Sequence, residues 1–452
     1  MIILDKATIV TAEKEAVGTI LIEGTKISSV IWSDSEDYDF RRFKMLNEHP
    51  DAEVWDLEGR HIMAGGIDAH VHFREPGLTH KADMQTESRA AVAGGVTTVF
   101  DMPNTNPATV TSEALKGKID LAEGRALTRI GFHIGATNSN ADMICSLVKE
   151  GDASCGVKSD DIPGVKVFMG SSTGNMLVDK GDSLDRLFDI KEKPILVHCE
   201  DEETIKANLS AAIEKYGEDI PFAEHENIRS RRACIKSSIK ALEMAIKHGT
   251  RLTLCHISTK EEIEMVRAAK ISNPDITAET SCNYLWFSNE AYARMGSRVK
   301  CNPAVKGIDD RDALRRALAD GMIDTIGSDH APHLLSEKER PYTKAPSGLP
   351  SIQQSLPVLL TIAAQEDIPL TRIASVFSEK ASEIYGLNRG KIAPGYDADL
   401  VIFDNSKEFV VKAEDQYSKC GWTPYEGETL RGVIETVLID GKAVLKDGKI
   451  AD

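Results

Sequence analysis

The sequence predicts an α/β protein, a (β/α)8 TIM barrel carrying a small β-sandwich-like domain built from both chain termini. Short apolar runs at 62–67, 95–101, 129–136, 164–169, 194–199, 251–257, 275–280 and 323–326 are separated by polar or amphipathic helical text. Eight such units over roughly 300 residues fit a barrel. β-branched runs broken by glycines open and close the chain, and neither end holds enough apolar residues for a core of its own. Histidines, a lysine and an aspartate fall at the C-terminal ends of the central strands, where the loops of a barrel meet. A doubly wound sheet is the competing arrangement.

Taken in order, residues 1–60 read as strands at 7–10, 18–22 and 26–31, interrupted by Gly24 and a charged run at 34–44, with a turn at 56–59. The same texture returns in 385–452, with strands at 399–403, 410–413, 432–439 and 442–445. Chain termini tend to lie close together, so the two ends form one small domain and leave 61–384 to the barrel. A helix is expected at 138–149. A formal charge of −17 excludes a general attraction to nucleic acid or acidic lipid. The opening MIILDKATIV has no basic region, and no apolar run reaches the ~18 residues of a membrane span. Eight cysteines without short paired spacings suit free thiols in a reducing compartment, so a cytoplasmic location is expected.

The stretch HIMAGGIDAHVHFR, residues 61–74, organises the chemistry. On a strand, alternate side chains share a face, so His70 and His72 can grip one ion with Asp68 beside them and Arg74 at the exit. Later strand ends answer this one: Asn104 and Thr105 after the second, Lys166 in the fourth, and His198 and His256 closing the fifth and sixth. Asp329, His330 and His333 follow the eighth. Imidazole and carboxylate donors suit Zn²⁺, with His70, His72 and Asp329 for one ion and His198 and His256 for a second. An ammonium beside two cations is unfavourable. Read alone, Lys166 reaches solvent or a carboxylate; with carbon dioxide its amine forms a bidentate carbamate able to bridge two ions.

The segments DAHVHFREPG, GVTTVFDMPNTNP, ILVHCED, LCHIST and GSDHAPH, with GVKVFMG between them, resemble the cyclic amidohydrolase superfamily and within it the dihydroorotases. The resemblance implies two zinc ions, His70 and His72 on the more buried one and His198 and His256 on the other. It also implies bridging by carboxylated Lys166 and a hydroxide, with Asp329 a metal ligand and proton shuttle. The implied reaction is the reversible interconversion of L-dihydroorotate and N-carbamoyl-L-aspartate in pyrimidine biosynthesis. Arg74 is a planar, charged fork suited to the substrate carboxylate. Asn104 and, by resemblance, His333 complete that pocket, Asn302 contacts the ring amide, and Thr173 in the loop 171–178 is a further candidate contact. Residues 345–348 are expected to offer backbone contacts. Allantoinase and dihydropyrimidinase or hydantoinase activities stay open as alternatives. A metal-free scaffold would need gaps in the ligand set, and all six ligand positions are filled.

Cys199 and Cys255 are expected to pack with side chains facing away from the ligands. His49, His133, His225 and His248 are read as surface or packing residues, His80 and Lys81 as shaping the first loop, and RSRRAC at 229–234 as a salt-bridged surface. The expected partner is a small-molecule substrate, with a homodimer by resemblance and no nucleic acid or membrane.

Overall fold

A computed structural model describes residues 1–170 and 176–451. Its centre is a ring of eight short parallel strands: β1 (Gly66–Val71), β2 (Val96–Asp101), β3 (Arg129–Phe132, resuming at Ile134–Gly135), β4 (Val165–Phe168), β5 (Ile195–His198), β6 (Leu252–Leu254), β7 (Ile276–Thr280) and β8 (Thr325–Ile326). All are buried throughout except at Arg129–Gly131 of β3, which are half-buried, as strands covered on both faces should be. β3 breaks at His133, its first half pairing with β2 and its second with β4. The ring closes between β1 and the chain after β8, through a parallel bridge from Val71 to His330 and a hydrogen bond from His72 N to His330 O at 2.8 Å.

The run read as one strand at 62–67 is two strands. His61–Ala64 belongs to the terminal sheet, parallel to Ile2–Val10 and antiparallel to Leu400–Val410, and only Gly66–Val71 enters the barrel. A division after residue 60 therefore cuts the sheet ahead of one of its own strands. The glycines explain the crossing: a Cβ on Gly65 would lie 2.3 Å from the Thr97 side chain, and one on Gly66 2.4 Å from the Phe377 ring. No larger residue lets the chain pass from one layer to the other there.

The terminal sheet is continuous and nine-stranded, and it packs around Ile9, Ile20, Ile62, Leu400 and Leu438. The charged run at 34–44 leads into a helix, Tyr38–Glu48, because its charges fall outside while Met45 turns in. The strand expected at 410–413 ends at Val410; beyond it the chain leaves the sheet, crosses the barrel and re-enters at Thr429–Ile439. The helix expected at 138–149 is Ala141–Glu150. Among the described residues no helix is long and apolar enough to cross a membrane.

One buried ion pair sets the exit of β1. Lys118 Nζ lies 2.5 Å from Asp101 Oδ2, both side chains fully buried, and donates to Met102 O at 2.9 Å. The other oxygen, Asp101 Oδ1, accepts from Phe73 N at 2.7 Å, between His72 and Arg74. Removing one partner of a buried pair strands the other charge. Lys118→Met should therefore lower unfolding stability by about 3–5 kcal/mol, with much of the loss recovered in the Asp101→Asn/Lys118→Met double variant. Urea unfolding of the variants checks this, and a single-variant loss below about 1 kcal/mol would be that of an exposed pair.

Candidate active site

β1 carries His70 inside the barrel and releases His72 and Arg74 at its mouth. His72 Nε2 lies 3.0 Å from Asp329 Oδ1, and His70 Nε2 lies 3.5 Å from the same oxygen. Opposite them, at the ends of β5 and β6, His198 Nδ1 and His256 Nε2 face each other at 2.8 Å. The rings of His70 and His256 are 5.2 Å apart, so the two pairs adjoin. Lys166 is fully buried, its Nζ 3.2 Å from Cys255 Sγ and over the Phe168 ring. Arg74, His256 and Asp329 all hold left-handed backbone, with φ of 66°, 38° and 48°. Such conformations cost roughly 1–3 kcal/mol each and persist where the surroundings enforce them.

The far nitrogens of three rings are taken by side-chain oxygens. His70 Nδ1 donates to Glu279 at 2.7 Å, His72 Nδ1 to Asn104 Oδ1 at 2.7 Å, and His198 Nε2 to Glu200 at 3.0 Å, with Arg229 paired to the same Glu200 oxygen. These bonds place the protons on the outer nitrogens and leave His70 Nε2, His72 Nε2 and His198 Nδ1 with lone pairs turned inward. Burial holds His70 and His256 well below the ordinary histidine range, so both rings are neutral at pH 7. Burial pushes the Asp329 carboxyl upward, but its contact with His72 and the nearness of His70 and Lys166 outweigh this and hold it below its ordinary value. Donor atoms of His70, His72 and Asp329 all lie within 4.8 Å of one another. Two imidazoles converging with one carboxylate fit a divalent ion of the zinc type.

Arg74 is 3% exposed and burial pulls it down to about 10, so it stays charged at neutral pH. Its Nε donates to Pro332 O at 3.0 Å, and its Nη2 lies 2.9 Å from His333 Nε2. Lys81 Nζ donates to His333 Nδ1 at 3.0 Å, so Lys81 does shape this loop. Arg74, Asn302, His72, Asp329 and Ser347 surround a cavity of about 20 Å³, and Asn302 and Ser347 also border a neighbouring cavity of about 310 Å³ lined by Arg229, Lys300 and Tyr342. Asn104 Oδ1 sits against the His72 ring. Thr173 lies outside the described residues.

Cys255 does not face away from the ligands. β6 ends at Leu254, so strand alternation no longer governs 255 and 256, and the Cys255 thiol joins His70 and Glu279 inside the barrel. Burial pushes it up to about 12, a neutral thiol and no nucleophile. In the RSRRAC segment Arg231 is salt-bridged to Asp310, but Arg229 turns inward to Glu200. His133 and His225 are packing residues, fully or almost fully buried. The sequence reading passed over Glu279 and Glu200. Both stand at strand ends, in ITAET and HCED, where the rule that picked out the histidines would have found them.

The family model described as "Amidohydrolase family" matches residues 61–444. The chain belongs to the amidohydrolase family. A dihydroorotase of Methanosarcina mazei is 34% identical over 386 residues, 83% of this chain and 81% of that protein. An allantoinase of Desulfitobacterium hafniense is 32% identical over 408 residues, 88% of each. Among solved structures, an L-hydantoinase (dihydropyrimidinase) from Arthrobacter aurescens is similar with a TM-score of 0.89 at 25% identity, covering 100% of this chain and 97% of that one. The amidohydrolase match begins at His61, in the last sheet strand before the barrel.

Burial gives this amidohydrolase a defined acid response. His61, His70, His133, His198, His225, His256 and His333 are all depressed, His133 to about 4. Below the unfolded value of about 6.5 the unfolded chain takes up protons that the folded one refuses, so stability falls as pH falls. Asp68, Glu262, Glu279 and Glu379 are raised, Asp68 and Glu279 to about 7, and act in the opposite sense over the same window. They are fewer. The urea midpoint of chelator-treated protein should drop steadily between pH 7 and 5, and a flat or rising midpoint would contradict this balance.

Proposed function

We propose that this hydrolase is a dihydroorotase, interconverting L-dihydroorotate and N-carbamoyl-L-aspartate with two zinc ions. The observation that carries the reading is Arg74, a buried guanidinium beside His72 and Asp329 that makes no salt bridge among the described residues. Lys81 donates to His333 Nδ1, so the one proton of the neutral ring sits on Nε2 and goes to Ser347 O at 3.1 Å. Arg74 Nη2 then faces an N–H where it needs an acceptor. A buried, unpaired cation is costly, and an incoming carboxylate removes that cost. Dihydroorotate carries such a group; dihydrouracil, hydantoin and allantoin do not. The relatives named dihydroorotase support the same reading, and the relative named allantoinase makes that activity the alternative to test.

His70, His72 and Asp329 would hold one ion and His198 and His256 the other. Lys166 would bridge them as its carbamate: its buried amine meets a neutral thiol and an aromatic face, and makes no salt bridge among the described residues. When bound, the ions would polarise the ring carbonyl and lower the pKa of an attacking water. Arg74, Asn302 and His333 would fix the ring by its carboxylate and amide edge. Asp329 Oδ1, against His72 Nε2, would take the proton released by the nucleophile and deliver it to the departing ring nitrogen. The C–N bond breaks, the carbonyl carbon keeps the hydroxyl, and the nitrogen keeps the proton.

Asp329→Asn keeps a metal-facing oxygen but cannot carry the proton. Turnover should fall by roughly 10²–10⁴ in protein shown to be metal-loaded, and wild-type turnover there would remove the shuttle role.

A site built to pair with a substrate polar group rejects analogues lacking it by roughly 10⁴–10⁵ in kcat/KM. Zinc-loaded protein assayed side by side should therefore use dihydroorotate and leave dihydrouracil, hydantoin and allantoin almost untouched. Arg74→Met should abolish most dihydroorotate turnover with the metal content intact. Faster hydrolysis of any of the other three rings would assign the chain to a neighbouring amidohydrolase activity.

A further inference from the structure

We propose that the segment crossing the barrel between Val410 and Thr429 is a specificity clamp, with Ser418, Lys419 and Trp422 as positioning residues for the substrate carboxylate. The proposal rests on the reading that Arg74 and His333 receive that carboxylate. Arg74 leaves the barrel after β1 and His333 after β8, and their opposed nitrogens are 2.9 Å apart. The crossing segment touches both loops. Lys419 Nζ donates to Thr79 O at 2.7 Å and to Asp83 at 3.0 Å, holding the loop that follows Arg74. Trp422 Nε1 donates to the backbone oxygen of His333 at 2.8 Å.

Between these two holds lies Glu87, fully buried on the helix Met84–Ala93. Its carboxylate accepts from Thr86 Oγ1 (2.8 Å), Lys419 N (3.0 Å), Ser418 Oγ (2.6 Å) and His330 Nε2 (2.7 Å). His330 Nδ1 accepts from Ser351 N at 3.0 Å, so the ring's proton lies on Nε2 and goes to Glu87. The backbone oxygen of His330 receives His72 N. Glu87 thus joins the crossing segment to the residue that closes the barrel, next to Asp329 in the chain. No side chain of the clamp borders the cavity around Arg74, so its effect must pass through the spacing of the two loops.

The test uses full-length, zinc-loaded Trp422→Phe and Ser418→Ala, each with metal content, thermal midpoint, kcat and KM measured beside wild type. The expected result is a KM for dihydroorotate raised roughly three- to tenfold, the range for one lost hydrogen bond, with kcat within about twofold and metal content unchanged. An unchanged KM, or a kcat that falls in step with KM and thermal midpoint as general loosening would give, overturns the clamp. If Trp422→Phe does not fold, Ser418→Ala carries the comparison; if neither folds, the segment is structural and the proposal fails. Wild type alone tests the substrate reading. Should it prefer an uncharged ring, the substrate reading fails and the carboxylate clamp with it, whereas an unaltered KM in variants of a dihydroorotate-using enzyme overturns the clamp alone.

Discussion

The barrel closes on a narrow seam, and the site depends on it. β1 and the chain after β8 share one backbone bridge, Val71 to His330, and one bond from His72 N to His330 O. On one side stand His70, His72 and Arg74, and on the other Asp329 and His333. Asp68 reinforces the seam from within, accepting from His70 N and from Ser328 N across the gap. Two such short strands supply few ladder bonds, so a buried carboxylate does what extra strand length would do elsewhere. Because Asp68 is spent on backbone donors, it is unavailable to an ion although it shares the face of His70.

The inner face of the site is electrically asymmetric. Glu200 is neutralised by Arg229, whereas Glu279 sits under His70 with no salt bridge to a lysine or arginine among the described residues. Burial raises Glu279 to about 7, and a bound cation would act against that shift. The left-handed backbone at Arg74, His256 and Asp329 belongs to the same economy of space.

The order of the barrel strands and the histidines at their ends were legible because both rest on local patterns: β-branched runs, and rare residue types at the ends of those runs. The His61–Ala64 strand was not legible, since nothing local separates it from Gly66–Val71; only the closeness of Thr97 and Phe377 forces the break at the glycines. Glu279 and Asn104 were hidden in their roles for a related reason. A carboxylate or amide behind a metal-facing ring is defined by the ring it touches, 209 and 32 residues away. Cys255 was misdirected by applying strand alternation one residue past the end of the strand.

The terminal sheet also constrains how the chain is made. Ala64 pairs with Leu400, so the strand beside the barrel waits for a partner synthesised some 336 residues later. At roughly 5–20 residues per second the interval is on the order of tens of seconds. During it Ile2–Val10, Glu15–Glu23 and Lys26–Trp32 can pair locally, while His61–Ala64 presents an open apolar edge. Every strand of the barrel is complete before that edge is covered. The sheet acts as the latch of the fold, fastened only after the whole barrel has been synthesised.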